Sequence, residues 1–325
     1  MKKISFIIPA YNCQNTIIEC VNSILNCNYP NIEILIINDC SDDKTKEICL
    51  KSFNKNPKIK ILNNIVNKGT STTRNIGLNS ISGDYIWFVD SDDTIISNIT
   101  NEFISILETN PNMDIFCFNH NKVHQQKHTP TFEFPDCNNK IITGIEYLDK
   151  YQSLYLWDKI YSAKLIDDIR FVDGTKNIED FYFNLQVIKN AKNIYTSRSI
   201  GYNYNCNNMN STSRNRSKKN LIKLSQDTLI IQKLLLKDIK SSQSREIKNA
   251  LLNKLNYSIA GHIFSLINFY NLNRLKKVLN IYMNLALYPI NKTNNRRANL
   301  FIFIVNHKAL LFIVAYFYQI KRYIQ

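Results

Sequence analysis

The first 112 residues alternate short apolar runs, rich in β-branched residues, with segments of helical periodicity. The apolar runs predict four strands, over residues 4–8, 32–37, 59–62 and 85–89. The segments between them are long enough for right-handed crossovers, which join parallel strands and cover both faces of a sheet. We therefore predict an α/β fold with a mainly parallel, buried sheet flanked by helices.

Two helix starts have the pattern of a capping box, in which Ser or Thr is followed three residues later by Glu or Gln. Thr16 and Glu19 form one such pair, and Thr143 and Glu146 form the other. Further helices are expected over residues 44–53, about 72–81 and 178–188. Beyond about residue 112, residues 113–123 and 131–134 predict strands around a polar loop.

The chain divides by composition into three parts. Residues 1–205 carry the α/β pattern, with a change of character near residue 112 that separates a first half, 1–112, from a second, 113–205. Residues 206–220 are rich in Asn, Ser and basic residues and are predicted to form a linker. Residues 221–325 have an almost wholly helical pattern.

Polar side chains follow three of the predicted strands, where the carboxyl ends of a parallel sheet bind ligands. These clusters are Pro9-Ala10-Tyr11-Asn12, Asn38-Asp39 and Asp90-Ser91-Asp92-Asp93. Because three strands deliver polar groups to one edge of the sheet, we expect a binding site there. Taken alone, the acidic cluster would fit an acidic turn or a helix N-cap equally well.

The seven glycines are too scattered for the glycine-rich loops that bring backbone N–H groups against phosphates. A nucleotide diphosphate would therefore need another partner for its charge. The carboxylates of the cluster Asp90-Ser91-Asp92-Asp93 are candidate ligands for Mg²⁺ or Mn²⁺, which is held by few protein carboxylates together with substrate phosphates.

The net charge of +15 favours an anionic partner. Nucleic acid is disfavoured, because no nucleic-acid-binding motif is present and the acidic cluster would repel phosphates unless a metal were bound. None of the eight cysteines forms a C-x-x-C pair, and Cys49 and Cys117 lie in apolar runs, where a free thiol behaves as a small hydrophobic residue. With no secretory signal expected at the start, this favours a reducing cytoplasm.

The C-terminal tail, residues 300–318, is dense in Phe, Ile, Leu and Tyr but is interrupted by Asn306, His307 and Lys308. It contains no stretch of 18 apolar residues, so a membrane-spanning helix is not expected. Two interpretations remain open. The tail is either a helix that lies in a membrane interface beside basic residues, or a core helix that packs on the α/β domain.

Five segments in order resemble the family 2, GT-A type glycosyltransferases of bacterial surface-polysaccharide and lipopolysaccharide assembly. They fall within residues 5–12, 33–43, 67–69, 74–77 and 83–93, so the resemblance covers residues 3–93 most strongly. It implies a GT-A nucleotide-diphospho-sugar transferase fold with a helical C-terminal region. Residues 1–112 would then bind the nucleotide sugar and residues 113–205 the acceptor.

The resemblance also implies roles for single residues on the donor side. Asp39 would accept a hydrogen bond from a uracil ring, Asp92 would bind the metal directly, and Asp90 would lie near the ribose and the metal. The remaining donor-site residues implied are Pro9, Ala10, Tyr11, Asn12, Asn67, Gly69, Arg74 and Ser91. One departure is that the family commonly has glycine after the acidic residue at position 39, where this chain has Cys40.

On the acceptor side, Trp157-Asp158-Lys159 and Glu179-Asp180 resemble family motifs. Inversion at the anomeric carbon needs a base for the acceptor hydroxyl proton, and the resemblance assigns this role to Asp180, with Glu179 orienting it. Acidic residues at a helix N-terminus would also be favoured by the helix dipole alone. Ser211 and Arg214 are candidates for the donor diphosphate, in a segment that resembles the family's donor-covering region.

The expected activity is inverting transfer of a hexose, with galactose or glucose favoured, from a UDP-sugar. The expected acceptor is a hydroxyl of a lipid-linked, lipopolysaccharide or capsule glycan. Mn²⁺ or Mg²⁺ would assist, at the cytoplasmic face of the inner membrane. The alternatives are a UDP-N-acetylhexosamine transferase of the same family and a non-catalytic nucleotide-sugar-binding or membrane scaffold protein.

Overall fold

A computed structural model describes residues 1–134, 140–208, 214–269 and 272–324 of the chain. The chain forms two compact units, which we call unit 1 (Met1–Asn215) and unit 2 (Arg216–Gln325). The domain boundaries predicted at residues 205 and 221 remain predictions.

Unit 1 contains all the strands of the described residues, and they belong to one sheet. They are β1 (Ile4–Ala10), β2 (Ile32–Asn38), β3 (Ile59–Asn63), β4 (Tyr85–Phe88), β5 (Thr94–Ile95), β6 (Ile115–His124), β7 (Lys127–Thr131), β8 (Ile141–Ile142), β9 (Lys159–Ser162) and β10 (Ile194–Asn205). The helices of this unit are α1 (Ile17–Leu25), α2 (Thr45–Phe53), α3 (Thr70–Leu78), α4 (Asn98–Thr109), α5 (Gly144–Lys150), α6 (Ala163–Ile166) and α7 (Glu179–Ile188).

The strand order is β3-β2-β1-β4-β9-β6-β10-β5, with β7 paired to β6 and β8 paired to β10. Strands β1, β2, β3 and β4 are mutually parallel, and β6 is parallel to β10. Strand β9 runs antiparallel between β4 and β6. The prediction of a mainly parallel sheet flanked by helices is confirmed.

The first strand shows why this sheet is buried on both faces. Ile4, Phe6, Ile7 and Ile8 are all fully buried, although successive side chains of a strand point to opposite faces. A strand covered on both faces reads as a continuous apolar run instead of an alternating one. This is the pattern that predicted β1 from the sequence.

Two local predictions were wrong. Thr16 does not cap α1, because its hydroxyl hydrogen-bonds to the Cys13 carbonyl and makes no side-chain cap. The strand predicted over residues 131–134 lies at Lys127–Thr131 instead. Gln125 and Gln126, with φ of +47° and +65°, make a tight hairpin turn there, without the Asn-Gly or Asp-Gly pair that usually signals one. The capping box at Thr143 and Glu146 is formed as predicted.

Unit 2 is helical, as predicted. Its described helices are α8 (Lys218–Ser241), α9 (Arg245–Phe269), α10 (Leu272–Asn284), α11 (Arg296–Asn306) and α12 (Lys308–Ile324). Helix α9 contacts each of the other four. In the described part of the chain, no single helix is long and apolar enough to cross a membrane. Residues 296–306 and 308–318 would suffice only as a pair, and that pair bends by 100°.

Two helix glycines make a matched pair for a stability test. A Cβ on Gly77 of α3 would lie 2.5 Å from Cγ2 of Ile7 and 3.2 Å from Cδ1 of Ile37, whereas a Cβ on Gly261 of α9 would meet nothing within 4 Å. We expect Gly77→Ala to destabilise unit 1 by about 1–3 kcal/mol through overpacking. We expect Gly261→Ala to stabilise unit 2 by roughly 0.5–1 kcal/mol.

Both tryptophans of the chain lie in unit 1, so Trp fluorescence follows the unfolding of that unit, while far-UV circular dichroism also detects the helices of unit 2. Gly77→Ala should lower the midpoint of the fluorescence transition, and Gly261→Ala should leave it unchanged. Equal fluorescence midpoints for Gly77→Ala and the parent chain would contradict the close packing of α3 on β1.

Candidate functional site

The loops after β1 and β2 are joined by hydrogen bonds at the carboxyl edge of the sheet. The Asp39 N–H donates to the Ala10 carbonyl at 2.8 Å, and the Asn12 N–H donates to the Ser41 hydroxyl at 3.0 Å. Asn12 Oδ1 accepts from the Asp42 N–H at 2.9 Å. The polar groups that the sequence assigned to two separate strand ends therefore lie together, at the edge where parallel sheets bind ligands.

The predicted donor-site residues differ in what they offer a ligand. Ala10 is fully buried, so its side chain packs in the core, and Pro9 and Ser91 are half-buried. Tyr11 is 46 % exposed, and its hydroxyl donates to the carboxylate of Asp42 at 3.1 Å. The side chains open to a ligand are those of Tyr11, Asn12 and Asn67.

Asp39 is nearly buried, and both of its carboxylate oxygens accept hydrogen bonds from the next loop. Oδ1 accepts from the Asn64 amide at 2.7 Å and the Lys68 N–H at 2.9 Å. Oδ2 accepts from the Gly69 N–H at 2.8 Å. Asp39 therefore holds the loop before α3, a role that the sequence did not suggest. Since a carboxylate has about four acceptor positions, one remains for a further donor such as a uracil N–H.

Cys40 occupies the position where the family commonly has glycine. Its φ of +57° is left-handed, a conformation that costs an ordinary residue about 1–2 kcal/mol and glycine almost nothing. Its thiol hydrogen-bonds to the Ile65 carbonyl at 3.4 Å. The backbone here thus has the conformation that favours glycine, and the departure from the family changes the side chain alone.

Three carboxylates follow β4 within four residues. Asp93 is 2 % exposed. Its Oδ1 accepts from the Asn205 N–H at 2.7 Å, and hydrogen bonds from Asn205 and the Tyr202 hydroxyl act to lower its pKa. Burial and the charges of Asp90 and Asp92 raise the pKa of Asp93 well above its usual range. Burial and Asp90 also raise the pKa of Asp92, although a hydrogen bond from Asn208 opposes this.

Asp90 and Asp92 of this cluster are the metal ligands predicted from the sequence. Burial first, and repulsion from neighbouring carboxylates second, raise the pKa values of Asp92 and Asp93, so a bound cation would favour their ionised forms. Within the described ranges, no three His, Cys, Asp or Glu side chains are arranged to hold a metal ion. Mg²⁺ and Mn²⁺ sites often combine one or two carboxylates with substrate phosphates, so Asp90 and Asp92 could hold a cation whose remaining ligands came from a diphosphate.

Arg74 joins this cluster to the acidic pair at the start of α7. Its guanidinium is nearly buried and donates to Glu179 Oε1 at 2.8 Å and to Asp90 Oδ1 at 3.0 Å. Its Cζ lies 5.5 Å from the centre of the Phe171 ring. Burial acts to lower the pKa of Arg74, but the charges of Asp90 and Glu179 outweigh it and raise that pKa. The predicted donor-side and acceptor-side acids therefore belong to one site.

The residue before the acidic pair has a strained backbone, and burial raises the pKa of both acids. Ile178, which precedes it, has φ +54° and ψ +18°, a left-handed conformation that costs a β-branched residue about 1–3 kcal/mol and is typical of functional sites. Burial raises the pKa of Glu179 to about 7, with Arg74 opposing and Asp180 reinforcing the rise. Burial also raises the pKa of Asp180, against the lowering effect of Arg74. Glu179 is nearly buried, while Asp180 is half-buried.

The prediction that Asp158 and Lys159 contact the acceptor is not supported by their positions. Both side chains are fully buried and pair with each other at 2.5 Å. Lys159 also donates to the Tyr155 carbonyl at 2.9 Å, and Asp158 accepts from Ser153. Buried charges of this kind are paired because an unpaired one would be very costly, so the two residues support the fold beneath the site.

Trp157, the third predicted acceptor residue, lies in an aromatic stack. Its ring is parallel to those of Tyr155, Tyr202 and Tyr204, with centroid distances of 4.7, 4.8 and 5.5 Å. The His120 ring packs edge-on against it at 4.7 Å. Trp157 is 7 % exposed, whereas Tyr155 is 41 % exposed. Tyr155 is therefore the most exposed ring of this stack.

Residues that follow β10 contact the acidic cluster. Asn208 donates to Asp92 Oδ2 at 2.8 Å, and the Arg214 guanidinium lies 5.2 Å from the centre of the Tyr204 ring. Arg214 also acts to lower the pKa of Asp92, which places its positive charge near the predicted metal ligand. Ser211, the other predicted diphosphate residue, lies outside the described residues.

The sequence assigned no role to Asn205 or Asn208, although both contact the acidic cluster. Asn205 donates its N–H to Asp93 and its side-chain amide to the Asp92 carbonyl, and Asn208 donates to Asp92 Oδ2. Tyr202, in the segment that resembles the family's donor-covering region, accepts from the Asp90 N–H at 3.1 Å. The signal that could have found the two asparagines is the density of Asn in residues 203–208.

Residues 5–155 match the family described as "Glycosyl transferase family 2", and we identify them as a domain of that family. Glycosyltransferase GlyA of Streptococcus pneumoniae is 33 % identical over 209 residues, covering 61 % of this chain and 30 % of that protein. The protein named UDP-Glc:alpha-D-GlcNAc-diphosphoundecaprenol beta-1,3-glucosyltransferase WfaP, from Escherichia coli, is 40 % identical over 109 residues, covering 34 % of this chain and 43 % of that protein. The chain thus spans less than half the length of either relative.

Among solved structures, the chain resembles residues 1–349 of TarS from S. aureus in complex with UDP-GlcNAc. The TM-score is 0.64 and the identity 21 %, with 82 % of this chain and 73 % of that chain covered. This likeness confirms the predicted GT-A-like fold.

The geometry around Asp39 predicts a loss of stability that needs no ligand. Asp39→Asn would turn an amide N–H₂ toward the N–H donors of residues 64–69, so we expect about 1–3 kcal/mol of destabilisation and a lower thermal midpoint by Trp fluorescence without nucleotide. Asp42→Asn, at an exposed position nearby, is the matched control and should melt like the parent chain. An unchanged midpoint for Asp39→Asn would mean that the carboxylate serves ligand binding alone.

Proposed function

We propose that this chain is an inverting glycosyltransferase that moves a hexose from a UDP-sugar to a hydroxyl of a glycan acceptor. The observation that carries the proposal is the buried Arg74 guanidinium, which is hydrogen-bonded to both Asp90 and Glu179. It links the acidic end of β4, where a nucleotide diphosphate would bind, to the acidic pair that would receive the acceptor proton. Membership of family 2 supports the same class of reaction.

In this mechanism Asp180 is the general base. The acceptor hydroxyl oxygen attacks the anomeric carbon from the face opposite the diphosphate and forms the new glycosidic bond. The bond from the anomeric carbon to the β-phosphate oxygen breaks, and its electron pair leaves with UDP. The hydroxyl proton passes to the Asp180 carboxylate, whose raised pKa makes it a better acceptor. Glu179 would orient Asp180 and keep Arg74 in place.

Asp92 and Asp90 would hold Mn²⁺ or Mg²⁺ at the donor diphosphate. The chemistry such a cation supplies is neutralisation of the charge that develops on the departing phosphate. Arg214, near Asp92, would contribute positive charge to the same diphosphate. Asp39 would accept a hydrogen bond from uracil through the position that the 64–69 loop leaves free.

The finer parts of the proposal concern the sugar and the acceptor. The name of WfaP specifies a UDP-Glc donor and a diphosphoundecaprenol-linked acceptor, which supports glucose and a lipid-linked glycan acceptor. Galactose as the other hexose, and a location at the cytoplasmic face of the inner membrane, belong to the proposal as predictions from the sequence. TarS is named as a poly(ribitol-phosphate) beta-N-acetylglucosaminyltransferase, so a UDP-N-acetylhexosamine donor is the second candidate. A non-catalytic scaffold is disfavoured because Asp180, Glu179 and Arg74 are assembled as a working site would need.

Asp180→Asn tests the base. It should lower the rate of UDP release in the presence of a GlcNAc-diphosphate lipid acceptor by about 10²- to 10⁴-fold, while UDP binding by calorimetry stays unchanged.

In the parent chain the rate should fall as the pH is lowered, because protonation of Asp180 removes the base. The raised pKa of Asp180 moves this loss to a higher pH than for a free Asp. Asp149→Asn, an exposed position on α5, is the control. Full activity in Asp180→Asn would exclude this mechanism.

A panel of nucleotide sugars tests the donor and the metal. A ligand at 100 times its Kd stabilises the folded state by about 2.7 kcal/mol, so UDP-glucose, UDP-galactose or UDP-GlcNAc with Mn²⁺ should raise the Trp-detected midpoint by several degrees. EDTA should remove most of that shift if the cation bridges Asp92 to the diphosphate. A larger shift with a GDP- or dTDP-sugar would exclude the uracil role of Asp39, and equal shifts with and without EDTA would exclude the metal.

A further inference from the structure

The net positive charge of this protein is carried by unit 2. Residues 1–215 contain 22 Lys and Arg against 23 Asp and Glu, whereas residues 216–325 contain 19 against 3. No Asp or Glu follows Glu246, so the last 79 residues carry eleven basic residues and no acidic one. Unit 1, which contains the candidate site, is nearly neutral. The charge is therefore a property of the helical unit and not of the donor site.

The last two helices of this unit each have two apolar faces. Ile302 and Val305 of α11 and Leu311 and Ala315 of α12 are buried, where both helices contact α9. Other large apolar side chains of the same helices are exposed: Leu300 (68 %), Phe303 (57 %), Leu310 (43 %), Ile313 (52 %), Tyr316 (57 %) and Phe317 (64 %). One face thus stabilises unit 2, and the other is apolar and open to solvent.

The exposed residues have helical spacing. Leu300 and Phe303 are three apart on α11, and Leu310, Ile313 and Phe317 are three and four apart on α12, so each set forms one stripe along its helix. A contiguous exposed stripe with aromatic residues marks an interaction site and not a scatter of surface apolar residues.

Basic residues border these stripes. Arg296 and Arg297, both exposed, begin α11. Lys308, also exposed, lies at the 100° bend between the helices. Apolar and aromatic residues beside Arg and Lys, with no acidic residue nearby in sequence, are the composition of helices that lie in the headgroup region of an anionic membrane.

The helix lengths favour lying in a membrane over crossing it. At a rise of about 1.5 Å per residue, α11 is roughly 16 Å long and α12 roughly 25 Å. A bilayer core is about 30 Å thick. Since the two helices are bent by 100°, they cannot combine into one straight span.

We propose that the exposed face of α11 and α12, comprising Leu300, Phe303, Leu310, Ile313, Tyr316 and Phe317, inserts into the headgroup region of an anionic phospholipid bilayer. The basic residues of unit 2 supply the long-range attraction, and the aromatic and aliphatic side chains supply the buried contact. The inference deepens the membrane location included in the proposed function by naming the surface that binds, and it does not depend on the reaction, because binding to a bilayer needs no catalytic step and no nucleotide sugar.

The test uses the full chain and vesicle flotation without nucleotide. Vesicles of equimolar phosphatidylglycerol and phosphatidylcholine should bind the parent chain at least about tenfold more tightly than pure phosphatidylcholine, and added NaCl should weaken the binding. Arg296→Gln with Arg297→Gln should weaken binding to the anionic vesicles and reduce its salt dependence. Failure of the parent chain to bind either vesicle would overturn the proposal.

The apolar contact is tested by the triple variant Phe303→Ser, Ile313→Ser and Phe317→Ser. The matched control is Ile65→Ser with Val66→Ser, which removes exposed apolar side chains from unit 1 (93 % and 59 % exposed). The triple variant should lose most vesicle binding, and the control should keep it, with far-UV circular dichroism showing that both retain their helices.

Two outcomes would contradict the bilayer as the partner. One is binding of the triple variant equal to that of the parent chain. The other is concentration-dependent self-association of the parent chain, measured by sedimentation without vesicles, that the triple variant abolishes. In that case a second copy of the chain, and not a membrane, covers this face. Loss of activity in Asp180→Asn with normal vesicle binding would separate this inference from the proposed function.

Discussion

The buried Arg74 guanidinium is the interaction on which the candidate site depends. It lies on α3 and binds Asp90, 16 residues further along the chain, and Glu179, 105 residues further along. A buried cation of this kind is stable only while its carboxylates are present, and removal of one partner typically costs about 3–5 kcal/mol. The loop after β4 and the start of α7 are therefore held at the same place by one side chain.

Arg74 also sets the electrostatics of the acids around it. It opposes the rise in the pKa of Glu179 and Asp180 that burial causes. Asp92 and Asp93 receive less compensation, and their pKa values are raised by burial and by repulsion from Asp90. The site thus contains one acidic region that is balanced by a fixed cation and another that is not. Asp92, the direct metal ligand in our proposal, lies in the second region, while Asp90, its proposed partner, is bound to Arg74.

The sequence predicted well what depends on neighbouring residues. Apolar runs gave β1 to β4 close to their true limits, and the polar clusters after them do meet at one edge. It predicted poorly what depends on contacts between distant segments. No periodicity links Arg74 to Glu179, and the complete burial of the Asp158–Lys159 pair contradicts the usual expectation that charged residues are exposed. The family resemblance named Arg74 and Glu179 separately without linking them, and it gave no indication that Asp158 and Lys159 are buried.

The departures from the expected pattern are also informative about the backbone. Cys40 and Ile178 both have left-handed conformations, and each adjoins a carboxylate with fixed partners in the site. Asp39, before Cys40, accepts from the loop of residues 64–69, and Glu179, after Ile178, pairs with Arg74. A residue with a Cβ is strained in this conformation and persists there only where the surrounding structure compensates. The hydrogen bonds of the adjoining carboxylates are contacts of the kind that can supply such compensation.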